Sequence, residues 1–188
     1  MRKIINSTYV TLDGVVGDPQ EWSLPYFGED AQKYAYDLLF SSGALLLGRR
    51  TYEGFASTWP HMEEQTGEYG VRMNTLPKYA VSTTLEKADW NNTSIISSDV
   101  TAEVARLKEQ PGQDILQYGF GELSRTLVEA GLLDELRLWV HPVFAGLGKG
   151  GDRLIGAESF NATFELADTL VLGTGVVVHT YRKTAPAA

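Results

Sequence analysis

The chain has 188 residues, with 16 basic and 24 acidic side chains, a formal net charge of −8 and 43% hydrophobic residues. That length suits one domain with a sizeable core and excludes disorder as a description of the whole chain. The absence of cysteine excludes disulfides, thiolate metal sites and cysteine nucleophiles, and the acidic balance argues against general nucleic-acid binding.

From the N-terminus, Met1 to Ser7 offers too short an apolar segment for a signal peptide, so a cytoplasmic location is expected. The spellings Asn6-Ser7-Thr8 and Asn91-Asn92-Thr93 then carry no meaning as glycosylation sequons. No apolar run approaches the ~20 residues of a membrane-spanning helix. Ile4 to Thr11 is β-rich and reads as a first strand. Leu12 to Pro25, with Gly14, Gly17, Pro19 and Pro25, reads as a loop. Glu29 to Ser42 carries Ala31, Tyr34, Ala35, Leu38 and Leu39 at helical spacing, with Gly43 ending the helix. Ala44 to Leu47 is an all-apolar strand of the kind covered on both faces.

A second helix is expected over Arg50 to Ser57, and an irregular polar excursion over Thr58 to Leu76. Strands follow at Lys78 to Ser82 and Thr93 to Ser97, then a helix from Thr101 to Gln110 stopped by Pro111-Gly112. Asp114 to Tyr118 reads as a strand and Glu122 to Ala130 as a helix capped by Gly131. Leu136 to Val143 is a strand, and Phe160 to Leu172 with Gly175 to Tyr181 forms a closing antiparallel pair. Gly146 to Gly151 has no helix after it and reads as a flexible connection. The alternation of strands and helices predicts an α/β fold with a mostly parallel sheet and antiparallel strands at one edge. A single domain over 1–183 and a short tail over 184–188 are expected.

Three segments have the chemistry to meet phosphate. In Tyr118-Gly119-Phe120-Gly121-Glu122-Leu123 a strand runs through Gly-x-Gly into a helix. The glycines permit close approach and the first-turn amides face an anion. The bland alternative is a tight turn. Gly48-Arg49-Arg50-Thr51 places two arginines at a helix N-terminus, where they oppose the dipole unless an anion or Glu53 compensates. Ser82-Thr83-Thr84 gathers hydroxyls past a strand, which often only cap turns. All three follow strand C-termini, the edge where open α/β sheets bind ligands.

These motifs occur in order with Thr11-Leu12-Asp13-Gly14 and with Leu138 to Gly148 around Pro142-Val143. The chain thereby resembles the dihydrofolate reductase superfamily, and within it the branch containing the C-terminal reductase domain of bacterial riboflavin-biosynthesis deaminase/reductase proteins. The resemblance implies a three-layer fold of about eight strands, NADPH as cofactor and a homodimer. It implies that Gly48, Arg49, Arg50, Thr51, Ser82, Thr83 and Thr84 meet the adenosine side and its phosphates. Gly119, Phe120, Gly121, Glu122 and Leu123 would hold the pyrophosphate, and Val10, Thr11 and Gly14 would flank the nicotinamide. Thr83 stands where many relatives carry arginine, which keeps NADH open beside NADPH.

The expected activity is hydride transfer to a small heterocycle (pterin- or pyrimidine-like), or to an imine or carbonyl compound. Such a site positions the reacting carbons, excludes water and handles one proton. Asp13 and Asp30 are the candidate catalytic carboxylates. Against them stand an Asp-Gly turn for Asp13 and helix capping for Asp30. His61, His141 and His179 share no ligand spacing, so no metal is assigned, and His141 is expected to be packed or hydrogen-bonded. Trp22 and Trp59 are the tryptophans expected nearest a pocket. Two other readings remain: a dinucleotide- or ligand-binding regulatory protein of the same fold without turnover, and a structural homodimer.

Overall fold

The computed structural model describes residues 1–146, 152–155 and 160–184. Eight strands form one sheet in the order β4-β3-β2-β5-β1-β6-β8-β7. They are β1 (Ile4–Thr11), β2 (Ser42–Gly48), β3 (Lys78–Val81), β4 (Thr93–Ile96), β5 (Asp114–Tyr118), β6 (Glu135–His141), β7 (Phe164–Val171) and β8 (Val177–Lys183). The helices are α1 (Glu29–Phe40), α2 (Arg49–Thr58), α3 (Glu63–Thr66), α4 (Glu68–Thr75), α5 (Val100–Glu109) and α6 (Glu122–Glu129). The chain divides into two compact units, Met1–Ile4 with Ala35–Tyr118, and Ile5–Tyr34 with Gly119–Ala188.

In the first unit β2 pairs in parallel with β3 and with β5, and β3 with β4. With a partner on each side, β2 is apolar along its length, and Ala44 to Leu47 are fully buried. In the second unit β1 runs parallel to β6, while β6–β8 and β8–β7 are antiparallel. β7 ends the strand order and is exposed almost throughout, so it lacks the apolar continuity of β2.

Three sequence expectations need correction. The first helix stops at Phe40, where the hydroxyls of Ser41 and Ser42 both bond the Leu38 carbonyl at 2.9 and 2.8 Å. Gly43 is not its cap: it sits in β2 at a register shift opposite β5. A Cβ there would lie 3.1 Å from Gln113 Cβ and 3.2 Å from its carbonyl oxygen, so close approach of two strands asks for the glycine. Thr58 to Leu76 is not irregular either, for it holds α3 and α4. The buried Asn74 organises this stretch. Its amide donates to the Trp59 carbonyl (3.0 Å) and Glu63 (2.7 Å), and its oxygen accepts from the Trp90 indole (2.7 Å). A polar hub in place of an apolar stripe hides such a helix from periodicity. Residues 147–151 and the tail 185–188 lie outside the described residues.

Lys78 opens β3 with no exposed surface. Its Nζ donates to the carbonyls of Asn74 (2.8 Å), Leu76 (2.8 Å) and Asn91 (3.0 Å) and lies 4.3 Å from the Trp90 ring centroid. Burial pushes its pKa down to about 8. Lys78→Met keeps the bulk and removes the donor, orphaning three carbonyls at about 1–3 kcal/mol for each left unsatisfied. The expected loss of stability is about 3 kcal/mol or more, read from the urea midpoint. An unchanged midpoint would show that the clamp contributes nothing.

Candidate functional site

The strands of the first unit release their turns at one edge. β2 ends at Gly48 and α2 begins at once. Arg49 in its first turn pairs with Glu53 at 2.8 Å and donates to the Thr84 hydroxyl. The Gly48 and Ser82 segments are thus brought together, and Arg49 finds a counter-charge on its own helix. Ser82 Oγ accepts the amides of Thr84 (3.2 Å) and Leu85 (3.0 Å), which makes Ser82 a turn-former. Arg50, Thr83 and Thr84 are exposed at this edge, and Thr51 is half-buried. An aromatic cluster stands beside it. Phe55 packs on Trp59, Trp90 and Tyr118, and the hydroxyls of Tyr69 and Tyr118 meet at 3.2 Å. Burial raises the Tyr69 pKa.

In the second unit Gly119 has φ +75°, in the region that favours glycine. Its amide bonds the Ser7 carbonyl at 3.1 Å. Its own carbonyl accepts Asn6 Nδ2 at 2.7 Å and Ser124 Oγ at 3.2 Å. Phe120 is buried and faces Phe160, while Gly121 and Glu122 are exposed at the start of α6. Gly121 is extended, so any residue fits its backbone, and a Cβ built on it meets nothing within 4 Å among the described residues. Open space therefore lies against first-turn amides that a helix leaves without intrahelical partners. That arrangement suits a pyrophosphate.

The loop after β1 is fastened to the segment beyond β6. Val10 and Thr11 are buried, Leu12 N–H bonds the Val143 carbonyl (2.9 Å), and the Gly14 carbonyl accepts Leu154 N–H (2.9 Å). Asp13 accepts from Thr11 Oγ1 (2.5 Å) and from the amides of Ala145 (3.1 Å) and Gly146 (2.9 Å). These bonds, the Thr11 hydroxyl foremost, hold its carboxyl below the ordinary 3.8. So engaged, the carboxylate is an acceptor that holds the turn. Asp30 is engaged elsewhere. Its oxygens accept from Ala31 N–H (2.8 Å) and Gly173 N–H (2.5 Å), tying α1 to the β7–β8 turn. The two aspartates thus make their bonds to separate partners.

The sequence singled out neither Tyr9 nor Tyr26 as belonging to a group around His141, the last residue of β6. The His141 ring packs on Tyr9, Trp22 and Tyr26 with centroids 4.9, 5.0 and 5.9 Å away. Its Nδ1 lies 2.9 Å from the Trp139 carbonyl, and burial lowers its pKa. The signal was available in the period-2 alternation. Parallel register sets Tyr9 beside Trp139 and Thr11 beside His141 on one face. Of the two tryptophans expected near a pocket, Trp22 joins this cluster and Trp59 the one around Phe55.

Comparison with known proteins agrees with this architecture. Residues 2–178 match the model of the RibD C-terminal domain, and the chain belongs to that family. It is 32% identical over 150 residues to the uncharacterized protein YyaP of Bacillus subtilis (strain 168), covering 79% of each chain. Among solved structures it is similar to a Shewanella sp. PV-4 protein provisionally named for riboflavin biosynthesis (TM-score 0.74, 18% identity, 98% of this chain and 100% of that one). It is also similar to a diaminohydroxyphosphoribosylaminopyrimidine deaminase/5-amino-6-(5-phosphoribosylamino)uracil reductase from Thermotoga maritima (TM-score 0.65, 15% identity, 97% of this chain and 57% of that one). The α/β fold with its antiparallel strands β6-β8-β7 is the one these structures share. The family is one of reductase domains that normally use a nicotinamide cofactor.

The geometry of Asp13 sets a pH dependence. Its folded pKa lies below the unfolded value, so its stabilisation is complete above about 3.8 and is lost as pH falls through the lower folded value. A carboxyl-detected NMR titration should place Asp13 below 3.8, and Asp13→Asn should flatten the acid limb of the stability curve. A value at or above 3.8 would contradict the turn described.

Proposed function

We propose that the protein is an NADPH-dependent reductase that transfers hydride to a small heterocyclic, pterin- or pyrimidine-like substrate, or to an imine or carbonyl compound. The observation that carries the proposal is the open Gly119–Gly121 turn leading into α6, where among the described residues nothing beyond its chain neighbours lies within 4 Å of a Cβ built at Gly121. The bound nicotinamide supplies the hydride, and NADH remains a second donor. Within the first unit, Gly48, Arg49, Arg50, Thr51, Ser82, Thr83 and Thr84 would meet the adenosine and its phosphate. Arg49 would exchange part of its bond to Glu53 for the ligand. Within the second, Gly119, Phe120, Gly121, Glu122 and Leu123 would hold the pyrophosphate through amides and the positive end of α6. Val10, Thr11 and Gly14 would flank the nicotinamide.

Asp13 fixes that flank by holding the Thr11 hydroxyl and the Ala145 and Gly146 amides, and Asp30 fixes the start of α1 against Gly173. The Tyr9, Trp22, Tyr26 and His141 rings offer flat apolar surface that excludes water from a heteroaromatic substrate. The protein would act in the cytoplasm as a homodimer. The exposed edge strand β7, with Leu166, Leu170 and Val171, is the surface that supports association. Among the described residues no helix is long and apolar enough to cross a membrane.

A second reading is favoured by one observation, that Asp13 and Asp30 are both occupied by structural bonds. A binding or regulatory protein that retains the dinucleotide turns would need no proton donor.

Gly121→Val tests the site. Its backbone accepts valine, so the fold should persist while the side chain fills the pyrophosphate space. Quenching of the four tryptophans by added NADPH should report saturable binding to the parent. Affinity should fall at least about 100-fold in the variant, equivalent to about 2.7 kcal/mol. Normal binding by the variant would refute the placement. Binding to the parent with no turnover across pterin, pyrimidine, imine and carbonyl substrates would select the second reading.

A further inference from the structure

The opposite edge of the first unit's sheet carries a cleft of about 510 Å³ that the proposed reductase site does not use. It is framed where the parallel strands begin: Gly43 and Ala44 at the start of β2, Pro77 before β3 and Gln113 before β5. Arg2 and Arg72 line it, and no aspartate or glutamate does among the described residues.

Gln113 holds both arginines. Its carbonyl oxygen accepts Arg2 Nε at 2.6 Å, and its side-chain oxygen accepts an Arg72 terminal nitrogen at 3.3 Å. That Arg72 nitrogen also donates to the Ser42 carbonyl at 2.6 Å, and the guanidinium lies 5.7 Å from the Phe40 ring centroid. Arg72 Nε is buried with no hydrogen-bond partner. Arg2 is only 7% exposed, yet its side chain makes that one bond to Gln113 among the described residues. Two guanidinium groups are therefore gathered by one residue, that of Arg2 buried and that of Arg72 partly so, with donors left over and, among the described residues, no carboxylate lining the cleft. Like charges so placed repel, and a buried charge is costly without a partner. In a chain of net charge −8, carboxylates for surface pairing are plentiful, so their absence from this cleft is a local property.

We infer that this cleft is a second ligand site, built for a small organic oxyanion (a phosphate or carboxylate) carried on a flat apolar body. The planar donor forks of Arg2 and Arg72 match an oxyanion. The side chains of Leu76, Pro77, Tyr79 and Pro111 supply apolar lining for the rest of the molecule. The volume is that of a small-molecule site. Ligands of open α/β sheets ordinarily bind at the strand C-termini. This site lies at the strand N-termini, apart from the strand-end turns Gly48 and Ser82 in the same unit.

Isothermal titration of the full chain with phenyl phosphate tests the inference, with sodium chloride of matched ionic strength as control. Saturable binding is expected at or below about 10 mM, with Arg72→Gln weakening it about tenfold or more. Thr75→Glu, at an exposed lining position, places a carboxylate beside the pair and should abolish binding while leaving far-UV circular dichroism unchanged. Both variants should bind NADPH as the parent does, whatever the parent's affinity, so failure of the reductase reading stays distinguishable. Absence of saturation in the parent would overturn the inference. So would binding indifferent to Thr75→Glu, or phenyl phosphate displaced by NADPH.

Discussion

A buried side-chain amide on β1 fixes the turn on which the candidate site depends. Asn6 is fully buried and donates to the Gly119 carbonyl, while the Thr8 hydroxyl donates to Asn6 Oδ1 at 2.7 Å. Between them Ser7 accepts the Trp139 indole N–H at 3.0 Å and offers its carbonyl to Gly119 N–H. Three consecutive polar residues in a buried strand are costly unless each is satisfied. Here Asn6 and Ser7 hold the glycine turn and the neighbouring strand β6, and Thr8 holds the Asn6 side chain. The Gly119 conformation is thus set from the strand beside it, and the first-turn amides of α6 are oriented with it.

The same logic separates residues that touch a ligand from residues that hold others. Asp13, Asp30 and Ser82 have side-chain oxygens of suitable chemistry, and in each case those oxygens accept from neighbouring donors. They fix loops. Gly121 has no side chain to commit, and the space beside it is open. Arg49 is intermediate, paired with Glu53 on an exposed helix face where an ion pair is weak and easily exchanged. Under the proposed reading, backbone amides and, in the first unit, arginines would meet the ligand, while these carboxylates hold their loops.

Legibility in the sequence follows from what each segment buries. β2 was readable because its buried stretch Ala44 to Leu47 is an unbroken apolar run, and β5 because Ile115 and Leu116 lead into a glycine turn. The first helix and α5 were readable from spacing to within a few residues. The α3–α4 stretch was not, because Asn74, Glu63 and Trp59 pack it through hydrogen bonds that leave no apolar period. Gly43 misled for a related reason: a glycine after a helical pattern looks like a cap, and only the Gln113 backbone facing it reveals a close approach. Of the site, the turns were legible as short strings at strand ends. The long-range commitments of Asp13 and Asp30 were not, because those partners lie 132 to 143 positions away along the chain.

Net charge also bears on how an anion is held. A chain at −8 repels polyanions at long range, and that repulsion is screened within about 8–10 Å at physiological salt. Any anion it binds must be met by groups at contact distance. Helix-end amides do so without adding charge, which suits a turn such as Gly119–Gly121 beside the buried, uncharged Asn6–Thr8 segment. Guanidinium pairs do so with charge, and they need a rigid neutral frame to stay together when no anion is present. Gln113 and the Ser42 carbonyl form such a frame around Arg72. A carboxylate in either place would pair internally and close it to ligand, so the distribution of acidic residues, and not their number, decides where this chain can take up a phosphate.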